Sequence, residues 1–457
     1  MNLTESNSNT AHILGAMNSL FYAGGFFGSI VNSWYVDRYG QKTSIATVCI
    51  IMIISAALCA GLVDVAMFIV FRFFSGWSRL MLLVSVPLWI TEVAPPKGRG
   101  FLANIHALMA TLVNGMAAWV GVGFFFSQNG SGNQWRAPLA FACLAPLVTL
   151  IITYFAPESP RYLLIRHQPE KALELLQILH HNSKDVGNEY AQAEFMQMKR
   201  QHDMDSSMDS SWRILINRPS YKRHVLIACA LLTLIYSSGT LTVSNSGPTL
   251  FTGLGYKAPQ TLYFRGGIIL VSALSLVISL FVVDLMPRNV TLGAGMIAVA
   301  VPLSLEAAMT ATYLGTSDKD GLGAGVAFLF LYIFVYGIFL DGPGYFYANE
   351  IFPTHLRAKG ATCCIASYSL INIMWTQVSP IAFASIGWKY YLVFIVCCLV
   401  GGTIMFLTFP DTRNKPLEEI ARMFGDVNLV AIYSDSVPVN STEVKSAMGK
   451  SSLNECV

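Results

Sequence analysis

The chain has 457 residues, of which 54% are hydrophobic and only 12% are charged. Soluble domains carry about 25% charged residues, so this composition indicates a membrane protein. It excludes a soluble enzyme, a disordered hub and a collagen-like fibre. The net charge is only +3, and the basic residues are spread over many short loops, which argues against nucleic-acid binding. Eight of the nine cysteines fall within apolar runs, and neither a disulfide framework nor a metal site follows from them.

Apolar stretches recur along the chain at the length of about 20 residues that a membrane-spanning helix needs. They lie at about 13–35, 44–63, 66–90, 101–126, 136–156, 224–250, 261–283, 290–313, 323–348, 361–386 and 389–408. This pattern predicts an all-α membrane protein with about eleven transmembrane helices.

The spacing of the spans also predicts the domain organisation. We expect an N-terminal helical half at 1–156, a linker at 157–223, a C-terminal six-helix half at 224–408 and a tail at 409–457. Within the linker, Ala172, Leu173 and Leu176 recur at helical spacing, which predicts short amphipathic helices.

The distribution of Lys and Arg predicts which ends of the spans face the cytosol. If the loop at 36–43 is cytosolic, 22 of the 29 basic residues fall on that side and five on the other, while Arg72 and Arg79 lie within a span. By the positive-inside rule, the N-terminus is then outside, and the linker and the tail are cytosolic.

Three landmarks recur in the same order in the two halves. They pair Glu92 with Glu350, Glu158 with Asp411, and Asp37 with Asp284, at offsets of 258, 253 and 247 residues. In the first pair, a proline follows the glutamate by three residues and an arginine follows it by seven. The nearly constant offset indicates a duplicated half and therefore a parallel repeat about an axis along the membrane normal.

Five motifs, distributed over nearly the whole chain, carry a family resemblance. They are DRYGQK from Asp37, RFFSGWSRLMLLVSVPLWITEVAPPKGRG from Arg72, PESPRYL from Pro157, EIFPTHLRAKG from Glu350 and PDTRNKPLEEI from Pro410. The first resembles the loop signature of the major facilitator superfamily, and the others resemble signatures of its sugar porter family, in particular its fungal members. The resemblance implies the major facilitator fold with two parallel-repeat halves, a solute site between them, no enzymatic activity and no cofactor.

Charged residues recur at the predicted cytosolic ends of the spans, where carboxylates and arginines of neighbouring helices can pair. We expect these pairs to hold the cytosolic side shut while the outside is open. The predicted gate residues are Asp37, Arg38, Glu92, Arg99, Glu158, Arg161, Asp284, Glu350 and Arg357. The alternative is that these charges are solvated and only set the topology.

The resemblance also identifies candidate residues for the solute site. Paired glutamines of the family fall on Ile235 and Tyr236, its tryptophan falls on Tyr345, and its asparagine is kept as Asn372. We expect the site to include Asn372, Tyr345, Tyr236, Asn245 and Ser246. Because few sugar ligands are kept, a polyol, a modified sugar or a related hydroxylated acid stays open beside a hexose. Interhelical hydrogen bonding is the alternative role for each of these residues.

Charged residues inside the spans are costly and therefore point to function. Arg72 matches the arginine that, in proton-coupled members of the family, works against an aspartate of the first helix. Asp341 precedes a Gly-Pro-Gly sequence, and we predict proton coupling for both residues. Arg79 and Glu306 are interpreted as snorkelling side chains or members of structural pairs.

These observations favour a secondary active or facilitative transporter of a sugar or similar polyhydroxylated solute, with or without proton coupling. The alternative is a transporter-like nutrient sensor or a non-transporting form. We expect the plasma membrane as its location, and the solute, protons and the lipid bilayer, but no nucleic acid, as its partners. One span precedes Asp37 in the first half, whereas two spans precede its counterpart Asp284 in the second half. We therefore expect the chain to lack the family's first transmembrane helix.

Overall fold

The computed structural model describes residues 10–61, 64–93, 99–127, 135–179, 188–207, 211–244, 258–282, 285–313, 318–353, 356–413, 420 and 423–425. These residues form helices joined by turns, and no strand occurs among them. The all-α class predicted from the apolar spans is confirmed.

Among its described residues, the first half contains six helices, numbered in chain order. They are α1 (Thr10–Tyr39), α2 (Gln41–Ala60), α3 (Val65–Val93), α4 (Arg99–Ser127), α5 (Arg136–Phe141) and α6 (Leu144–Phe155). Only Gly40 separates α1 from α2, and its φ of 88° is a conformation that glycine adopts without strain. This turn brings the end of α1 and the start of α2 beside Glu158 and Tyr162.

Short helices occupy the segment predicted as a linker. They are α7 (Pro160–Ile165), α8 (Pro169–Leu179), α9 (Glu189–Ser207) and α10 (Trp212–Asn217). Leu164, Ala172, Leu176 and Met198 are buried together in a small core that is separate from the main one. The apolar side chains at helical spacing therefore pack α7, α8 and α9 against each other.

The second half follows from residue 219 onward. Its helices are α11 (Pro219–Tyr236), α12 (Ala258–Val282), α13 (Arg288–Tyr313), α14 (Lys319–Tyr336), α15 (Gly342–Glu350), α16 (Arg357–Ile386) and α17 (Tyr390–Thr408). A π-helical segment, Gly337–Asp341, joins α14 to α15. Each predicted span of this half overlaps one of these helices, with α14 and α15 together accounting for 323–348.

The outer surface of the helices suits lipid rather than water. Eight helical segments among the described residues are long and apolar enough to cross a membrane, and the last of them, Arg357–Thr408, contains both α16 and α17. Large apolar side chains lie on their outside, such as Phe155, Phe281 and Leu407, which are 75–79% exposed. An apolar exterior of this extent is expected for a protein in a bilayer. The count of eleven spans stays a prediction.

The halves meet mainly along two helix pairs, in which α1 packs on α16 and α4 packs on α12. Within the first half, α1 also packs directly on α3. Gly24 of α1 and Gly76 of α3 permit this contact, because a methyl group at either position would overlap the backbone of Phe73 or Phe21, respectively. Small residues allow membrane helices to approach this closely.

Candidate functional site

A group of four tyrosines, which we call the tyrosine cluster, lies where the two halves meet. It consists of Tyr22 of α1, Tyr236 of α11, Tyr345 of α15 and Tyr368 of α16. The hydroxyl groups of Tyr236 and Tyr345 are 2.6 Å apart and share a hydrogen bond. The ring of Tyr368 packs edge-on against Tyr236 and Tyr22, with centroids 4.5 Å and 5.9 Å away. Two predicted solute residues, Tyr236 and Tyr345, are thus together at the interface between the halves.

Asn372, another predicted solute residue, has an unsatisfied side chain. It is 0% exposed, and neither its amide nitrogen nor its amide oxygen has a hydrogen-bond partner among the described residues. It follows Tyr368 by four residues, so the two side chains share a face of α16. A buried polar group without a partner costs about 1–3 kcal/mol. Such a group calls for an explanation, and a bound ligand that supplies its partners is one.

Sequence reasoning missed two members of the tyrosine cluster. Tyr368 had a usable signal, since it lies one helical turn before Asn372. Tyr22 had none, because its place depends on how α1 packs against α16. The remaining predicted solute residues, Asn245 and Ser246, lie outside the described residues.

Asp341 ends the π-helical segment between α14 and α15. Turns of this kind inside α-helices occur frequently at functional sites. Here Ser279 of α12 donates a hydrogen bond from its Oγ to the carbonyl oxygen of Ile338 at 2.8 Å, within the same segment. Asp341 is close enough to Tyr345 to interact with it electrostatically. This predicted coupling residue therefore adjoins the tyrosine cluster.

Arg72 lies between two aromatic rings. Its guanidinium carbon is 5.3 Å from the ring centroid of Phe21 and 5.7 Å from that of Phe68, in cation–π geometry. Its Nε has no hydrogen-bond partner among the described residues. The titratable groups near Arg72 are Cys59, Tyr22 and Arg79. The described structure thus surrounds Arg72 with aromatic rings and does not bring it together with Asp341.

Glu92 is the centre of a charged network just beyond the apolar segment of α3. Its Oε2 accepts hydrogen bonds from Nε2 of Gln41 at 2.8 Å and from the hydroxyl of Ser159. Its positively charged neighbours are Arg161 of the same half and Arg357 of the other half. Burial raises the pKa of Glu92, against the opposing effect of these two arginines. Three predicted gate residues therefore lie together across the boundary between the halves.

Glu158 and Asp411 occupy equivalent places in the two halves. Oε1 of Glu158 accepts a hydrogen bond from the backbone N–H of Lys42 at the start of α2, at 3.2 Å. Oδ1 of Asp411 accepts one from the backbone N–H of Arg288 at the start of α13, at 2.9 Å. In both halves a carboxylate thus caps a helix N-terminus, where the helix dipole favours negative charge. The sequence repeat has a structural counterpart in these two contacts.

The other predicted gate residues have different surroundings. Asp37 has Lys359 of the second half as a charged neighbour, so the two form a second pair of opposite charges across the halves. Arg38 packs over the rings of Trp34 and Tyr39, 5.6 Å and 5.8 Å from their centroids. Asp284 and the side chains of Arg99 and Glu350 lie outside the described part of the chain.

Two further contacts join the halves, one between α1 and α16 and one between α4 and α12. Both lie toward the helix ends that face away from the charged network. Oγ of Ser19 in α1 donates a hydrogen bond to Oε1 of Gln377 in α16 at 3.1 Å. The ring of Phe126 in α4 stacks on Tyr263 in α12, with centroids 5.9 Å apart and an angle of 16°. The tyrosine cluster therefore lies between two sets of contacts across the halves.

The family described as "Sugar (and other) transporter" matches residues 1–424. Among similar proteins, the MFS-type transporter criB of Aspergillus cristatus is 26% identical over 415 residues, which cover 91% of this chain and 85% of that protein. The high-affinity glucose transporter of Kluyveromyces lactis is 25% identical over 457 residues, which cover 95% of this chain and 82% of that protein.

Solved structures of similar fold include the proton:xylose symporter XylE bound to 6-bromo-6-deoxy-D-glucose. It superposes with a TM-score of 0.78 at 20% identity, and the match covers 92% of this chain and 91% of XylE. The inward-open xylose transporter XylE from E. coli gives a TM-score of 0.71 at 20% identity, with coverage of 92% and 91%. The predicted major facilitator fold is confirmed by these superpositions.

Proposed function

We propose that this chain, which belongs to the sugar (and other) transporter family, carries a sugar or similar polyhydroxylated solute across a membrane by alternating access. It is a multi-pass integral membrane protein of a family of transporters rather than of enzymes. The observation that carries the proposal is Asn372, a fully buried amide without hydrogen-bond partners among the described residues, one helical turn from Tyr368 of the tyrosine cluster.

The proposed site matches what a hydroxylated solute requires. Such a solute gives up hydrogen bonds to water when it enters, so the site must offer convergent donors and acceptors. The amide of Asn372 supplies both, and the hydroxyls of Tyr236 and Tyr345 can each donate and accept. Asn245 and Ser246 belong to the proposal from the sequence alone.

Rocking of the two halves would expose this site to one side at a time. Opening the cytosolic end requires the separation of Glu92 from Arg357 and of Asp37 from Lys359. Opening the other end requires the loss of contacts such as Ser19 with Gln377. Alternating access follows if the two sets of contacts break in turn.

We also propose that transport is coupled to protons. Asp341 is the acid beside Tyr345, so its protonation would change the electrostatics of the solute site. Arg72 has Tyr22 of the same cluster as a neighbour. The two residues thus adjoin the tyrosine cluster through different tyrosines, and we propose that they act through the cluster rather than as a direct pair. We place the transporter in the plasma membrane, where an external hydrophilic solute would be taken up.

An uptake assay tests the proposal. The full chain is expressed in a host without its own sugar transporters, and entry of radiolabelled sugars, polyols and sugar acids is measured against the empty host. We expect saturable uptake that an unlabelled solute of the same kind inhibits, and a protonophore shows whether it is proton-driven. Surface expression without uptake of any of these solutes would contradict the proposal and favour a sensor or a non-transporting form.

A further inference from the structure

Arg79 is a charged residue in the middle of a membrane span, and the transport mechanism above gives it no role. It lies within the apolar segment Val65–Ile90 of α3, yet its side chain is exposed. Its sequence neighbours Ser78 and Leu80 are only 0% and 2% exposed. A charge at membrane depth faces the protein interior or a water-filled space, because contact with lipid is costly.

The neighbours of Arg79 show which space it faces. It is close enough to Tyr22, Tyr345 and Tyr368 to interact electrostatically with each of them. These are three of the four residues of the tyrosine cluster, and they come from three helices of both halves. Arg79 therefore lies on the side of the tyrosine cluster, in agreement with the packing of α3 against α1 and α16, which carry Tyr22 and Tyr368.

Arg79 also differs from the other arginine of α3. Arg72 is partly buried between Phe21 and Phe68, which stabilise its charge. The groups that interact electrostatically with Arg79 include the three tyrosines and Arg72. A guanidinium has five N–H donors in a planar fork that matches the two oxygens of a carboxylate. An exposed arginine among tyrosine hydroxyls is thus suited to an anion that also carries hydroxyl groups.

We infer that the solute carries a carboxylate in addition to its hydroxyl groups, and that Arg79 binds this carboxylate. The inference rests on the proposed function and narrows its solute class to hydroxylated carboxylic acids. Arg79 belongs to the first half, whereas Asn372 and Tyr345 belong to the second, so one solute would contact both halves. Asp341 on the second half repels a carboxylate, which orients the acid group toward α3 and the hydroxyls toward α15 and α16.

The test compares one charged solute with two uncharged ones. The full chain is reconstituted in proteoliposomes, and counterflow is measured with radiolabelled D-gluconate, D-gluconamide and D-glucose. Gluconate and gluconamide have the same hydroxyl groups, but only gluconate is charged. We expect an affinity for gluconate that is about tenfold or more higher than for gluconamide, as for a charge-assisted hydrogen-bonded pair.

Three variants locate the effect. Arg79→Gln keeps a donor but removes the charge, so it should weaken gluconate binding about tenfold or more and change gluconamide binding less. Arg79→Lys keeps the charge without the fork, so it should retain a reduced preference for gluconate, and it serves where the glutamine variant fails to insert. Arg136→Gln is the matched control, because Arg136 is an exposed arginine that packs on Trp135. It should leave both affinities unchanged.

The outcomes distinguish failure of the inference from failure of the proposed function. Equal affinity for gluconate and gluconamide, or a preference for gluconate that survives Arg79→Gln, would overturn the inference and leave the proposed function standing. Glucose counterflow without any gluconate counterflow would overturn the inference alone. Absence of uptake of every sugar, polyol and sugar acid in the host assay would overturn the proposed function and the inference with it.

Discussion

Arg357 in the second half is a positively charged neighbour of Glu92 in the first half. Glu92 is also held within its own half by Gln41 and Ser159. The carboxylate is therefore anchored on one side of the interface and attracted from the other. Such a contact can break and form again without a change in the position of Glu92 within its half, as a gate between rocking halves requires.

A double-mutant cycle should show that Glu92 and Arg357 act together. Glu92→Gln and Arg357→Gln should each lower the turnover number, and the double variant should lower it by less than the two effects combined, with a coupling of about 0.5–3 kcal/mol. Counterflow in proteoliposomes, normalised to inserted protein, measures this. Arg166→Gln is the control, since Arg166 bonds to Tyr162 in the linker segment. Fully additive effects would show that the two residues do not interact.

The raised pKa of Glu92 predicts a pH dependence of stability. Because burial raises this pKa, the folded protein binds the proton more readily than the unfolded chain, whose value is about 4.5. The group therefore lowers the free energy of unfolding as the pH rises through the raised pKa, and its effect vanishes below the unfolded value. Relative to the wild type, Glu92→Gln should melt at a higher temperature at about pH 8, with a smaller difference at about pH 5.

Thermal unfolding in detergent, followed by tryptophan fluorescence, measures these melting temperatures. Glu174→Gln on the exposed surface of α8 is the control and should show no such pH dependence. A Glu92→Gln variant that melts below the wild type at about pH 8, with a difference that shrinks as the pH falls, would mean that the arginines, and not burial, dominate the pKa of Glu92.

Asn372→Ala should weaken the apparent affinity for the transported solute by about 1–3 kcal/mol, because it removes both hydrogen-bonding groups that the solute would meet. The concentration dependence of uptake measures the change. Ser369→Ala is the matched control on the same helix, since the hydroxyl of Ser369 donates to the carbonyl oxygen of Ile365 at 2.7 Å. An unaltered affinity in Asn372→Ala would remove this residue from the solute site.

The equivalent caps predict equivalent losses of stability in the two halves. Glu158→Ala and Asp411→Ala should each lower the free energy of unfolding by about 0.5–2 kcal/mol, because each leaves a helix N-terminus without its carboxylate. Melting temperatures of the purified variants check this, with Glu174→Ala as the control. If only one of the two variants is destabilised, the two caps do not contribute equally to the free energy of unfolding.

The sequence was sufficient for those features that depend on local patterns. Apolar runs located the helices, and the repeated landmarks placed Glu92 and Arg357 among the predicted gate residues. The direction in which a side chain points was harder to predict, as Asp37 and Arg38 illustrate. Asp37 lies near Lys359, whereas Arg38 packs on aromatic rings of its own helix. Successive side chains on a helix point about 100° apart. Whether a charged residue lies near the opposite half therefore depends on which face of its helix is turned toward that half.

The tyrosine cluster shows the same limit for the solute site. Tyr236 and Tyr345 could be predicted by aligning motifs of the chain with those of the sugar porter family. Tyr22 could not, because that alignment assigns no solute residue to its helix. Its contact with Tyr368 joins residues far apart in the chain. Only the packing of α1 against α16 brings them together, and no sequence spacing records it.

The glycine contacts between α1 and α3 have a mechanical consequence. Gly24 and Gly76 place the two backbones against each other, so neither helix can slide without displacing the other. α1 carries the surface that touches the opposite half, while α3 carries Arg79 near its middle and Glu92 at its end. We therefore expect the two helices to move as one body, so that a tilt near the proposed solute site would displace Glu92, about 20 Å away along α3.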